Sequence, residues 1–293
     1  MFEALSAPLA WPLQVIITAR DHVYDDYLAT LPRLCLSAFS TDEMHRFIGR
    51  WLEGDDKGVA QVEGHLRRNA ALRDLAAIPL IGTILIGVYR KLRQIPETKV
   101  ALYEACVDLL CGGWDFVKNV QRGGRYSLAV KMTILKTLAG QLHARRLRHA
   151  EPQDVQQALG FSLNRLEPQY EAIVDEVVQD GLLARTGRLL MFSHLSFQEF
   201  LAAKDLADPT GRKQASALRR YMLGDDWWKE VLIFYAGLLN DPYAAHEWMG
   251  SVIRGIARSK GNSVDLELKV RTATLERTIR AAYPDFKAQP ILQ

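Results

Sequence analysis

The chain has 293 residues, 48% apolar and 24% charged, the make-up of a globular protein of about two domains at roughly 150 residues each. Lysine and arginine number 37 against 34 acids, too small a surplus to mark a nucleic-acid surface. Its 20 glycines and 11 prolines are ordinary usage and exclude collagen-like and low-complexity classes. Cys35, Cys106 and Cys111 show no metal-ligand spacing and fit a reducing cytoplasm. The longest apolar stretch, Ala76 to Tyr89, is broken by Pro79, Gly82 and Gly87, which argues against a bilayer span. Met1 to Pro12 lacks the basic start of a signal peptide.

Leu13 to Thr18 reads as a short buried strand with no obvious partner nearby, although a lone strand cannot satisfy its own backbone groups. From Ser40 to Trp114 the pattern turns helical. Ser40 and Glu43 have capping-box spacing, and Met44, Phe47, Ile48, Trp51 and Leu52 fall on one face. Further helices are expected around Val59 to Arg68 and Ala70 to Ala77. Another carries Pro79 in its first turn, and the next opens at Pro96. Gln121 to Arg125 reads as a linker. Beyond it, helices near Leu128 to His143, Pro152 to Leu159 and Leu166 to Asp180 precede two short strands around Thr186-Gly187, the order of a winged helix. Ser196 and Glu199 suggest a capping box for the following helix, and Trp227, Trp228, Val231, Leu232 and Tyr235 anchor a helical tail.

No self-contained catalytic signature occurs. The sequence has no Gly-Lys dipeptide, hence no phosphate-cradling loop, and no GxGxxG, HExxH, GxSxG or CxxC. The carboxylate pairs Asp25-Asp26, Asp55-Asp56 and Asp225-Asp226 sit in polar breaks, where turn and capping roles outnumber acid–base ones. The best basic patch, His143 to His149, suits a phosphate contact or, more plainly, the solvated end of a helix whose dipole it complements.

Three separated pieces in order, Ile16 to Arg20, Ile78-Pro79-Leu80 and Phe192 to Ala203 (FSHLSFQEFLAA), resemble the C-terminal two thirds of a NACHT-type signal-transducing P-loop ATPase. That family includes animal inflammasome receptors and bacterial antiphage sensors. The resemblance runs from about Leu13 to about Leu239, and its last motif is the most specific. It implies a mainly α chain with four parts: residues 1–38, holding a residual strand of the P-loop ATPase sheet; a helical subdomain, 39–120; a winged-helix domain, 121–206; and a C-terminal helical segment, 207–293. It further implies ADP or ATP as ligand, with Arg20 as the sensor arginine on the terminal phosphate, Pro79 beside the adenine and His194 on the β-phosphate of resting ADP. No metal site is expected in this chain.

The departure from the family is large. Its phosphate loop and magnesium-holding strand precede the sensor strand, and only a dozen residues stand there here. The expectation is therefore the regulatory portion of such an ATPase: a truncated product, a misplaced start or half of a split system. It would be cytoplasmic, with no hydrolysis of its own, acting as a nucleotide-dependent conformational and oligomerisation switch. Its partners would be a missing ATPase core or neighbouring protomers, a homo-oligomer included. The alternatives are a winged-helix DNA-binding regulator and a helical scaffold or inactive remnant. Asn164 to Asp180 disfavours DNA, because Arg165 faces Glu167, Glu171, Asp175, Glu176 and Asp180.

Overall fold

The structure is a computed structural model that describes residues 37–112, 114–115, 120–121, 124–152, 154–155, 170–208, 212–259 and 266–292. The chain divides into two compact units, Met1–Ala38 and Phe39–Gln293. Of the first, only residues 37–38 are described, so the expected strand at Leu13 to Thr18, Arg20, Asp25-Asp26 and Cys35 lie outside the described residues.

The second unit is mainly helical. Its first five helices are α1 (Thr41–Trp51), α2 (Asp56–Arg68), α3 (Ala70–Ala76), α4 (Pro79–Leu92) and α5 (Lys99–Cys111), each packed on the next. Local chemistry sets their starts. Ser40 and Glu43 form the expected capping box, with Ser40 N–H donating to Glu43 Oε2 at 2.8 Å and Glu43 N–H to Ser40 Oγ at 3.3 Å. Asp55 Oδ1 accepts Gly58 N–H at 2.9 Å and Asn69 Oδ1 accepts Leu72 N–H at 3.0 Å. Asp55 also pairs with Arg93, which ends α4 in the left-handed region at φ 56°. Pro79 is the first residue of α4, where its missing N–H costs nothing. Eight of its residues between Ile81 and Tyr89 are buried, so this helix is wrapped on nearly every side. The helix expected to open at Pro96 starts later, because Thr98 Oγ1 supplies the cap by accepting Ala101 N–H at 3.1 Å.

Strands β1 (Trp114–Asp115) and β2 (Val120–Gln121) pair antiparallel, Trp114 opposite Gln121. The boundary expected at 120/121 falls inside this pairing, and Gln121 is a strand residue instead of the start of a linker. Next come α6 (Leu128–Ala144), β3 (His149–Ala150), α7 (Tyr170–Gln179), β4 (Leu183–Thr186), β5 (Leu189–Phe192) and α8 (Leu195–Leu206). The three strands form an antiparallel sheet in the order β3-β5-β4, with His149 opposite Met191 and Thr186 opposite Leu189. Gly187, at φ 60°, takes the left-handed turn position that lets β4 and β5 join through two residues. The expected helix at Pro152 to Leu159 lies mostly outside the described residues, as does the start of the one expected from Leu166.

The tail comprises α9 (Arg212–Met222), a 3₁₀ turn (Asp226–Trp228), α10 (Lys229–Ala236), α11 (Pro242–Ser259) and α12 (Leu266–Ala282). Trp228, Val231, Leu232 and Tyr235 are buried as anchors. Helices α6 and α8 pack face to face, α8 also lies on α10, and α5 touches both α6 and α8. Lys131 of α6 is wholly buried where α5, α6 and α7 meet. Its ammonium donates to Cys111 O at 2.8 Å and pairs with Glu176 Oε1 and Asp180 Oδ2, both at 2.7 Å. Glu176 also accepts the N–H groups of Arg125 and Tyr126, so both charges have partners. Burial opposes ionisation of Glu176, but the bonds from Lys131, Tyr126 and Arg125 outweigh it and hold the carboxyl below its usual range.

Candidate functional site

Of the three residues singled out in the sequence, Arg20 lies outside the described residues, while Pro79 and His194 occupy different neighbourhoods. Pro79 is exposed at the start of α4, and its carbonyl accepts Thr83 Oγ1–H at 2.9 Å. Two residues before it, Ala77 O accepts Phe39 N–H at 2.8 Å and so ties the α3–α4 corner to the segment entering α1. Beside that corner lies an open cleft of about 340 Å³. Phe39, Met44, Leu66 and Ala77 supply apolar surface, and His45, paired with Glu63, and Arg67 supply polar groups. An apolar floor with few convergent polar groups is the usual make-up of a small-molecule site.

His194 is the N-cap of α8. Its Nδ1 accepts Ser196 N–H at 3.2 Å and lies 2.8 Å from the Ser196 hydroxyl. The expected Ser196 cap is thus displaced by two residues, and the histidine side chain does that work. An accepting Nδ1 puts the neutral ring's proton on Nε2, which makes that nitrogen the donor. Next to His194 and Ser196 in space is Tyr103 of α5, a fully buried residue whose ring lies 5.7 Å from that of Phe197 and whose phenol burial pushes up to about 12. Tyr103 of α5 is thus a neighbour of the segment that starts α8. The sequence shows His194 and Ser196 in one motif; Tyr103 joins them only in three dimensions.

The other candidates resolve into structural roles. Asp55 caps α2; Asp225 caps the 3₁₀ turn by accepting Trp227 N–H at 3.2 Å, and Asp226 pairs with Arg271 at 2.7 Å. In the basic run, Arg145 pairs with Asp154 at 2.7 Å and Arg146 with Asp225 at 2.6 Å, while Arg148 stands 5.6 Å from the Trp227 ring. His143 is buried. The run is the end of a helix held by its own acids and an aromatic ring. On α7 Asp175 pairs with Arg185, and Glu176 of α7 and Asp180 just after it serve Lys131, so the acidity read against DNA is partly internal. Cys106 and Cys111 are buried thiols, the latter pushed up to about 12 by desolvation. Among the described residues no group of three or more His, Cys, Asp or Glu could hold a metal ion, and no helix is long and apolar enough to cross a membrane. No protein-family model matches the chain, and no curated protein matches it.

Proposed function

We propose that the chain is the regulatory, nucleotide-sensing portion of a NACHT-type ATPase. In this reading it closes over ADP or ATP gripped by a P-loop core from another segment, and its partners are that core and neighbouring protomers. The observation that carries the reading is the ordered set of motifs at Arg20, Pro79 and His194. Three features support it. The order α6, β3, α7, β4, β5 with sheet order β3-β5-β4 agrees with a winged helix, whose expected middle helix lies mostly outside the described residues. Pro79 stands two residues past a wall of the open cleft. The tautomer of His194 supplies an Nε2–H donor, the group a β-phosphate oxygen needs. Hydrolysis requires a phosphate loop, which these 293 residues do not contain, so Mg-ATP turnover belongs to the joined core.

The capping role of His194 determines the test. His194→Ala removes both cap and imidazole and is expected to lower stability by about 1 kcal/mol. His194→Asn keeps a good cap and removes only the imidazole. The chain is joined to a family P-loop core, and ADP retention and melting are measured for both variants. The expected result is wild-type melting for His194→Asn with ADP release faster by roughly tenfold, the weight of one charge-assisted hydrogen bond. Wild-type ADP retention in His194→Asn would leave the histidine a helix cap and nothing more, and the switch assignment would fall.

A further inference from the structure

A second cavity, of about 190 Å³, lies apart from Pro79 and His194, where α6, α8, α9 and the 3₁₀ turn meet. Small residues, including Gly140 of α6, are part of its lining. Its walls carry Asp205, Lys213, Ser216, Arg220 and Trp228. The polar groups on these walls are mostly donors: an ammonium, a guanidinium with five N–H bonds and a hydroxyl. The opposing carboxylate, Asp205, is already paired, with Lys213 Nζ at 3.0 Å. Arg220 is exposed and has no ion-pair partner among the described residues. The helix that carries it, RKQASALRRYM, has four basic side chains and no acid. Of the three charged residues that line the cavity, Lys213 and Arg220 are basic and Asp205 is acidic, so positive charge exceeds negative there and donors exceed acceptors. Water shares about 30 Å³ per molecule in the liquid, so the cavity has the room of roughly six waters, enough for a tetrahedral oxyanion and a small substituent.

We propose that this cavity binds a phosphate group, as inorganic phosphate or a small phosphomonoester. Arg220 and Lys213 are its charged ligands and Ser216 a hydroxyl donor. An acceptor-only anion is the ligand class that satisfies a donor-rich, net positive wall, and a guanidinium meets two phosphate oxygens at once. The bound group would tie α9 to α6 and α8, across the border between the segments 121–206 and 207–293. The proposal does not depend on the NACHT reading.

Titration of the full chain with inorganic phosphate and, separately, glycerol phosphate, at constant ionic strength in chloride, tests it by calorimetry. Saturable binding is expected in wild type. Arg220→Ala is expected to weaken it roughly fivefold or more through loss of a charge-assisted contact. Ser216→Phe fills the cavity from an exposed position and is expected to abolish it. Asp205→Asn removes the repelling carboxylate, releases Lys213 and is expected to tighten it. Phosphate alone binding points to the free ion; both ligands binding points to a monoester. Should Ser216→Phe fail to fold, the opposed signs at Arg220 and Asp205 still decide. Wild type without saturation up to roughly 10 mM, tenfold above a millimolar Kd, overturns the proposal. So does unchanged affinity in Arg220→Ala, or weakened affinity in Asp205→Asn.

Discussion

His143 shows what a buried ionisable residue costs and contributes. The residue is fully buried, stacked on Trp227 with ring centroids 4.6 Å apart and planes at 16°. Its Nε2–H donates to Trp227 O at 3.0 Å, and Trp227 Nε1–H donates back to His143 O at 2.8 Å. Nδ1 has no partner, so a second ring proton would be a buried donor without an acceptor. Desolvation accordingly pulls the imidazole down to about 4, against the favourable bond to Trp227. Because the folded value lies below the unfolded one, the stabilisation is complete above pH 6.5 and is lost as the unfolded chain takes up the proton between 6.5 and 4. For this one group the loss between pH 7 and pH 5 is about 2 kcal/mol. Urea unfolding at the two pH values measures it. His143→Gln, which keeps an amide donor for Trp227 O but cannot titrate, should flatten the pH dependence by that amount. An equally steep dependence in the variant would mean that the histidine is charged in the folded protein.

Between elements, α6 and α8 meet at Gly140, which leaves the least room for a side chain among the described glycines: a Cβ would stand 2.2 Å from Asp205 Oδ2 and 2.7 Å from its Cγ. Alanine in mid-helix gains about 1 kcal/mol over glycine, but overpacking costs about 1–3 kcal/mol, and Asp205 would have to leave Lys213 to make room. Gly140→Ala should therefore lower stability by about 1 kcal/mol, read from denaturant midpoints; a stabilised variant would show that the two helices can part freely. Nothing in the sequence marks this glycine, because its neighbour is 65 positions away. What the sequence does reveal is local. The Ser40–Glu43 box, Pro79 at a helix start and the hairpin at Thr186-Gly187 depend on residues within a few positions of each other. Thr98 displaced Pro96, and His194 displaced Ser196, because several neighbouring residues could cap and tertiary placement chose between them. Strand β3 hid inside the basic run, since two residues have no periodicity and its partner Leu190 is 40 positions on. The candidate site divides the same way: His194 and Ser196 are legible as a motif, and Tyr103 is not.

Across the whole described body the buried apolar residues form one cluster, from Met44 of α1 to Ile291 after α12. Tyr103 of α5 is its joint: its ring lies 5.7 Å from Phe197, 5.7 Å from Phe200 and 4.9 Å from Phe234, three rings from two later helices. Two ion pairs reinforce that joint, Lys99–Glu230 and Lys204–Glu104, each at 2.7 Å. Separating the expected segments 39–120, 121–206 and 207–293 would expose this aromatic face, and each fully buried phenylalanine contributes about 1.5–3 kcal/mol. That exceeds the fraction of a kcal/mol to be recovered from exposed ion pairs, so the three segments should open together. Under the proposed function, the body is then expected to move as one piece, with no hinge at residue 120 or 206. Native-state hydrogen exchange tests this: the slowest amides of α4, α8 and α10 are expected to open with the same free energy, equal to that of global unfolding. Opening of α10 at a free energy lower by about 2 kcal/mol or more would place a hinge between α8 and α10, and the switch would then work by releasing the tail.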